Sequence, residues 1–287
     1  MKQVIFMVIF LLIVAVMGSL FFTLTPAKEA TETVVESLST ATVTPEPTVE
    51  PPFTTYKAPD LPQKDAYVIV MVGDSMTHAL GPHGGTFSEF MNQKYKPHGK
   101  GIVIDNYANP STSILTINKA MNTKTTYWDA TFEPLLAREF DLILIESFGY
   151  NPMSQFSLDV GLKRQKEILD ETMKNLQKAQ PEARVMFVAT IAPNKYKYAL
   201  PVDPDTTLED RTGVVNERMT YIKNHIDYAK EHNIPIVNIF EKSLNAEGDG
   251  DLKYINPHDY VHPSALGVDF IGQEITDYIY ENQIIPH

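Results

Sequence analysis

Four short blocks of the chain hold residue types that together suit ester hydrolysis by a serine. Ser75 closes the tripeptide Gly73-Asp74-Ser75, directly after an apolar run. Asp259 stands three residues ahead of His262. In a turn, that spacing lets both side chains point the same way, so Asp259 can hold His262 Nδ1–H while Nε2 faces outward. Asn151, at the end of Gly149-Tyr150-Asn151, supplies an amide donor, and the backbone N–H groups of Asn106-Tyr107-Ala108-Asn109-Pro110-Ser111 can supply another. The chemistry needs a base to take the hydroxyl proton, a carboxylate to hold that base in one tautomer, and donors aimed at the developing oxyanion. Gly-Asp-Ser alone is weak evidence, because Gly and Asp commonly end strands and Ser caps helices. The weight lies in the set.

Each block sits where a strand should end or a helix should begin. Apolar, β-branched runs of strand length occupy residues 67–72, 101–107, 141–146, 184–191 and 234–240. Between them, helical spacing is expected over 87–95, 114–121, 128–140, 158–180 and 208–233, with a last amphipathic helix over 264–282 that Ser264 can cap. This alternation predicts an α/β fold, a three-layer α/β/α sandwich around a five-stranded parallel sheet of flavodoxin-like type. In such sheets ligands bind beyond the carboxyl ends of the strands, which is where the blocks fall.

The four blocks, in this order and on these loops, resemble the SGNH (GDSL-type) hydrolase family of serine esterases, acyl hydrolases and related acyltransferases, over residues 66–282. The resemblance implies that Ser75 is the nucleophile and its backbone N–H an oxyanion donor, that Asn151 is the side-chain donor, and that Asp259 and His262 complete a catalytic triad. Counting five residues on from Asn106 reaches Ser111, where the family usually has glycine. Serine still donates a backbone N–H but tolerates positive φ less well. The third block also reads Asn-Pro where the family has Asn-Asp. The implied activity is hydrolysis of an ester with no cofactor, and a location outside the cell, expected from the N-terminal stretch, makes acyl groups, acetyl first, on surface saccharides the leading substrate. Acyl transfer with the same residues is one rival, and a surface binding module that has lost turnover is another.

Composition narrows the classes further. The 287 residues carry a net charge of −12 and no cysteine. That excludes thiol nucleophiles, disulfides and zinc–thiolate sites. The acidic balance, without a Lys/Arg run, argues against nucleic acid as a partner. No Walker A loop, GxGxxG turn, HExxH helix or GxSxG elbow occurs.

Three segments are expected along the chain. Residues 1–22 contain an uncharged stretch, 4–22, whose 19 positions span roughly 28 Å as a helix, the thickness of a bilayer core. It reads as a single-pass anchor with the bulk of the chain outside; a cleaved signal is the alternative. Residues 23–60, rich in Thr, Pro and Glu, read as a disordered stalk, and 61–287 as the hydrolase domain.

Several further features invite function. The connection 193–210 is long for a β-to-α link, and it places Lys195, Tyr196 and Tyr198 on the Ser75 side of the sheet as a candidate substrate rim. Trp128 reads as packing more than as a sugar platform. His258 reads as a solvated neighbour of Asp259. His78, His83 and His98 lack carboxylates at ligand spacing, so no metal site is expected. Residues 245–256 imitate a calcium loop but have Asn at both the first and the last ligand position, and read as an acidic turn.

Overall fold

The computed structural model describes residues 52–127 and 130–287. In chain order, β1 (Ala66–Val72) leads into a one-turn helix α1 (Ser75–His78), then α2 (Gly85–Tyr95) and β2 (Gly101–Asn106). A short helix α3 (Ile117–Asn122) precedes a hairpin of β3 (Thr125–Tyr127) and β4 (Ala130–Phe132). There follow β5 (Leu142–Glu146), α4 (Leu158–Ala179), β6 (Arg184–Ala189), α5 (Leu208–Glu231), β7 (Ile236–Asn238), a turn of helix α6 (Ile239–Lys242) and α7 (Ala265–Glu281).

Five strands form one sheet in the order β2-β1-β5-β6-β7, each pair parallel. Alternation along the strands divides the core into two layers. Ile69 and Met71 of β1, Leu142 and Leu144 of β5 and Met186 of β6 pack with Phe87 and Met91 of α2 and Ile271, Ile275 and Ile279 of α7. Val70, Val72, Ile143, Ile145, Val185 and Phe187 face the other way, onto Ile168, Leu169, Met173 and Leu176 of α4. Because β1 is an interior strand with side chains in both layers, its carboxyl end is held from both sides. The expected cap of the last helix is present: Ser264 Oγ accepts the Gly267 N–H at 3.0 Å.

Two expectations are corrected. Residues 128–140 were expected to be helical, but the chain makes the β3–β4 hairpin and a single 3-10 turn at Leu135–Ala137. Thr125, Thr126 and Thr131 favour extended backbone, and Pro134 has no N–H to continue a helix. Trp128 itself lies outside the described residues. The packed region also starts earlier than residue 61. Phe53 and Tyr56 are buried in the layer that α4 covers. Tyr56 N–H donates to the His232 carbonyl at 2.7 Å, and its hydroxyl accepts the Val185 N–H at 2.8 Å. Two aromatic side chains are enough to fasten a strip whose Thr/Pro composition reads as stalk.

Among the described residues no helix is long and apolar enough to cross a membrane. The stretch 4–22 lies outside them, as does most of the expected stalk.

Candidate active site

Ser75 is delivered by the end of β1. Gly73 makes the exit possible, since a Cβ there would lie 2.8 Å from Glu146 Cβ and closer still to Thr77 Oγ1. Asp74 is the N-cap of α1: its Oδ1 accepts the Met76 N–H at 2.8 Å, and Ser75 is the first helical residue. Neighbouring loops tie into the same turn. Asn106 donates its amide to the carbonyls of Thr77 and Gly81, and Asn109 N–H donates to Gly73 O at 3.0 Å. Asn151, on the loop after β5, donates from Nδ2 to Asp74 Oδ2 at 2.9 Å, so the GDS turn and the third block are joined by one side-chain bond.

The turn ahead of α7 has the geometry its spacing predicts. His262 Nδ1 lies 2.9 Å from Asp259 Oδ2, while Asp259 Oδ1 accepts the backbone N–H groups of Val261 and His262. Burial works against the Asp259 carboxylate, but those two N–H groups and the imidazole outweigh it and hold the group below the usual range. The imidazole, with 41% of its side chain exposed, acts electrostatically on both Asp74 and His78, on either side of Ser75 in the chain. Burial, then the neighbouring His262, lowers His78. His258 is exposed, with only its backbone N–H tied, to Asn256 Oδ1.

Ser111 occupies the left-handed backbone region, with φ of 58°. The position thus demands the conformation that glycine adopts freely, and a serine supplies it. Phe148 and Tyr260, at 52° each, are left-handed as well. Each of these three residues lies in a loop that carries a proposed site residue, which is where backbone strain tends to concentrate.

Glu146 is the residue that sequence reasoning missed. It ends β5 behind Asp74; Asp74 is fully buried and Glu146 is 2% exposed. Glu146 Oε2 accepts the Asp74 N–H at 3.3 Å, and Oε1 accepts the Ser147 hydroxyl at 2.5 Å. Burial raises both, and Glu146 is raised well above the carboxylate range because it also faces the Asp74 charge. An acid at the end of an apolar strand looks like the polar residue that meets solvent. The signal was its place in register beside the GDS turn, which needs the sheet order.

A cleft of about 360 Å³ opens beside Gly73. Val72, Tyr107, Ile117 and Phe148 line it, with Lys119 and Lys124 also contributing.

The candidate rim after β6 is only partly as expected. Tyr196 is 45% exposed, whereas Tyr198 is 7% exposed, packed near Tyr150 and under the Arg218 guanidinium. The Lys195 ammonium lies 3.1 Å from the buried carboxylate of Asp249. Tyr198 is therefore packed into the fold, Lys195 is paired with Asp249 while its side chain stays partly exposed, and Tyr196 presents its ring. The difference between the two tyrosines has a simple cause: this segment folds back over the domain, with Tyr198 N–H bonded to the Asn194 carbonyl at 2.8 Å. Among the described residues no group of three or more His, Asp or Glu side chains is placed to hold a metal ion.

Comparison with known proteins accords with this arrangement. The family described as GDSL-like Lipase/Acylhydrolase matches residues 69–275. No curated protein matches the chain. Among solved structures, a lipase/acylhydrolase from Enterococcus faecalis superposes with a TM-score of 0.52 at 15% identity, covering 75% of this chain and 96% of that one. A GDSL-like lipase from Parabacteroides merdae gives 0.53 at 14% identity, over 80% of this chain and 100% of that one. At these identities the likeness is one of fold.

Proposed function

We propose, for a chain that belongs to the GDSL-like lipase/acylhydrolase family of ester-bond hydrolases, that Ser75, His262 and Asp259 act as a catalytic triad. The contact of 2.9 Å between Asp259 Oδ2 and His262 Nδ1 carries this reading, because it fixes the tautomer that leaves Nε2 free to accept a proton. Ser75 Oγ attacks the ester carbonyl carbon as its proton passes to His262 Nε2. The oxyanion is held by the Ser75 N–H and the second amide hydrogen of Asn151, with the Ser111 N–H as third donor. Collapse expels the alcohol with the proton from His262, and water then releases the acyl group by the same steps in reverse order of roles.

The substrate in this reading is an acylated saccharide outside the cell, with acetyl the first acyl group to test. Support comes from the uncharged stretch 4–22, read as a single-pass anchor that leaves the domain extracytoplasmic, and from the Thr/Pro-rich residues that follow it. The exposed ring of Tyr196 suits the apolar face of a sugar. A fluorophosphonate probe tests the core of the proposal. It should label the wild-type protein and not Ser75→Ala, and product analysis on acetylated saccharides should find free acetate. Equal labelling of both proteins would refute the nucleophile. Acetylated acceptor in place of acetate would make the enzyme a transferase.

A further inference from the structure

We propose that Glu146 is a positioning residue that keeps its carboxyl proton and shares it with Asp74, so that one buried proton between two acids holds both halves of the oxyanion site in place. The proposal rests on the serine-esterase reading above.

Glu146 Oε2 takes the backbone N–H of Asp74, so two almost fully buried carboxyl groups meet at one turn, and at that spacing away from water they do not both stay ionised: one proton stays with the pair. Asp74 has the better claim to the remaining negative charge. It accepts Met76 N–H at 2.8 Å and Asn151 Nδ2 at 2.9 Å, and the His262 imidazole is near. Glu146 accepts a longer bond of 3.3 Å from the Asp74 N–H, and its 2.5 Å contact is with the Ser147 hydroxyl, which can accept from a protonated carboxyl as well as donate to an ionised one. The proton therefore belongs to Glu146.

The consequence falls on the donors. Ser75 follows Asp74 directly, so the cap bond to Met76 sets the direction of the Ser75 N–H. The other carboxylate oxygen holds one amide hydrogen of Asn151, which aims the second. One Asp74 carboxylate thus aligns two oxyanion donors that come from different strand ends, and Glu146 fixes that carboxylate from behind. Were Glu146 ionised, two adjacent buried anions would repel, and the oxyanion would form beside two negative charges in place of one.

The groups that face the pair come from four elements. They are His262 from the turn before α7, Tyr150 from the loop after β5, Tyr198 from the segment after β6, and Arg218 of α5 behind the two tyrosines. Burial raises Tyr150 well above its ordinary value and raises Tyr198 too, so both rings stay neutral while the pair holds its proton.

The full-length protein tests this in two ways. Infrared spectroscopy at neutral pH should find a protonated-carboxyl band in the wild type that is missing from Glu146→Gln. In kinetics, wild-type kcat should fall reversibly at alkaline pH as the shared proton is lost. Glu146→Gln, whose amide donates to Asp74 at every pH, should keep most of kcat and lose that alkaline fall. Glu146→Ala should lower kcat about 10- to 100-fold with KM little changed, the scale of a misplaced catalytic group. Absence of the band, or an unchanged alkaline limb in Glu146→Gln, overturns the proposal. A wild-type protein whose Ser75 takes no fluorophosphonate would sink the esterase reading, while the band would still decide whether the pair holds a proton.

Discussion

His262 and His225 are the same side chain placed in two regions that treat it oppositely. His262 stands on a loop beyond the sheet, partly open to solvent, with a carboxylate on Nδ1. His225 lies between α5 and the sheet, fully buried and stacked on Phe187 with ring centroids 4.3 Å apart, and neither ring nitrogen has a well-formed hydrogen bond. Burial pushes the His225 imidazole down to about 3, against a weaker pull from the Ile145 carbonyl. Titratable chemistry therefore does not follow from burial alone. It follows from a partner that fixes one tautomer and leaves the other nitrogen free. The strand-end loops supply such partners and accept strained backbone to do so; the sheet face supplies close packing.

The sharpest way to break the comparison is at His262. Its replacement by Ala should lower ester turnover about 10²- to 10⁴-fold, the usual scale for a general base, and move stability by no more than about 0.5 kcal/mol. His258→Ala should leave most of the activity, because that ring has no carboxylate three residues before it. Equal losses in the two variants, measured as kcat/KM on a small chromogenic ester, would remove the base assignment.

How much of this was legible beforehand follows the same division. The proposed triad of Ser75, Asp259 and His262 could be picked out because it rests on local spacing and on strands whose β-branched runs are unambiguous. Five parallel strands followed from the same runs. What could not be read depends on residues far apart in the chain. Glu146 reaches Asp74 only because β5 lies beside β1. Tyr196 and Tyr198 are indistinguishable by spacing, and only the fold-back of their segment buries one and shows the other. Phe53 and Tyr56 sit in a Thr/Pro-rich strip, and their burial requires the α5 end and β6 to be in place. The hairpin was misread because a few β-branched residues near a proline carry little periodicity in either sense.

At His225 the effect should appear in stability and not in rate. In the unfolded chain a histidine binds its proton near 6.5, whereas the folded site binds it only near 3. Between those values the unfolded chain holds more protons, so stability declines as pH falls through that window and the loss is complete below it. The contribution is at most about 5 kcal/mol from a shift of this size. His225→Leu should therefore flatten the acid side of the stability curve, measured by urea unfolding at several pH values, while kcat at neutral pH stays as in the wild type. An acid limb of wild-type steepness in that variant would mean that the buried imidazole is not what titrates.

The smallest effect tests whether the strand-end loops do carry strain. Ser111 holds φ of 58°, a conformation that costs an L-residue roughly 1–2 kcal/mol and glycine almost nothing. Glycine also gives up more freedom on folding, which returns up to about 1 kcal/mol of that gain. Ser111→Gly should then raise the thermal midpoint by only about 1–3 °C, at 2–4 °C per kcal/mol for a domain of this size. The backbone N–H survives the change, so turnover should hold whether or not Ser111 donates to the oxyanion. Ser111→Ala separates backbone from hydroxyl, since it removes the side-chain oxygen but keeps the Cβ that the left-handed region disfavours. If Ala stabilises as much as Gly, the gain comes from losing the hydroxyl and the strain account fails. If Gly alone does so, the loop that the chemistry uses is less relaxed than the sheet face that holds His225.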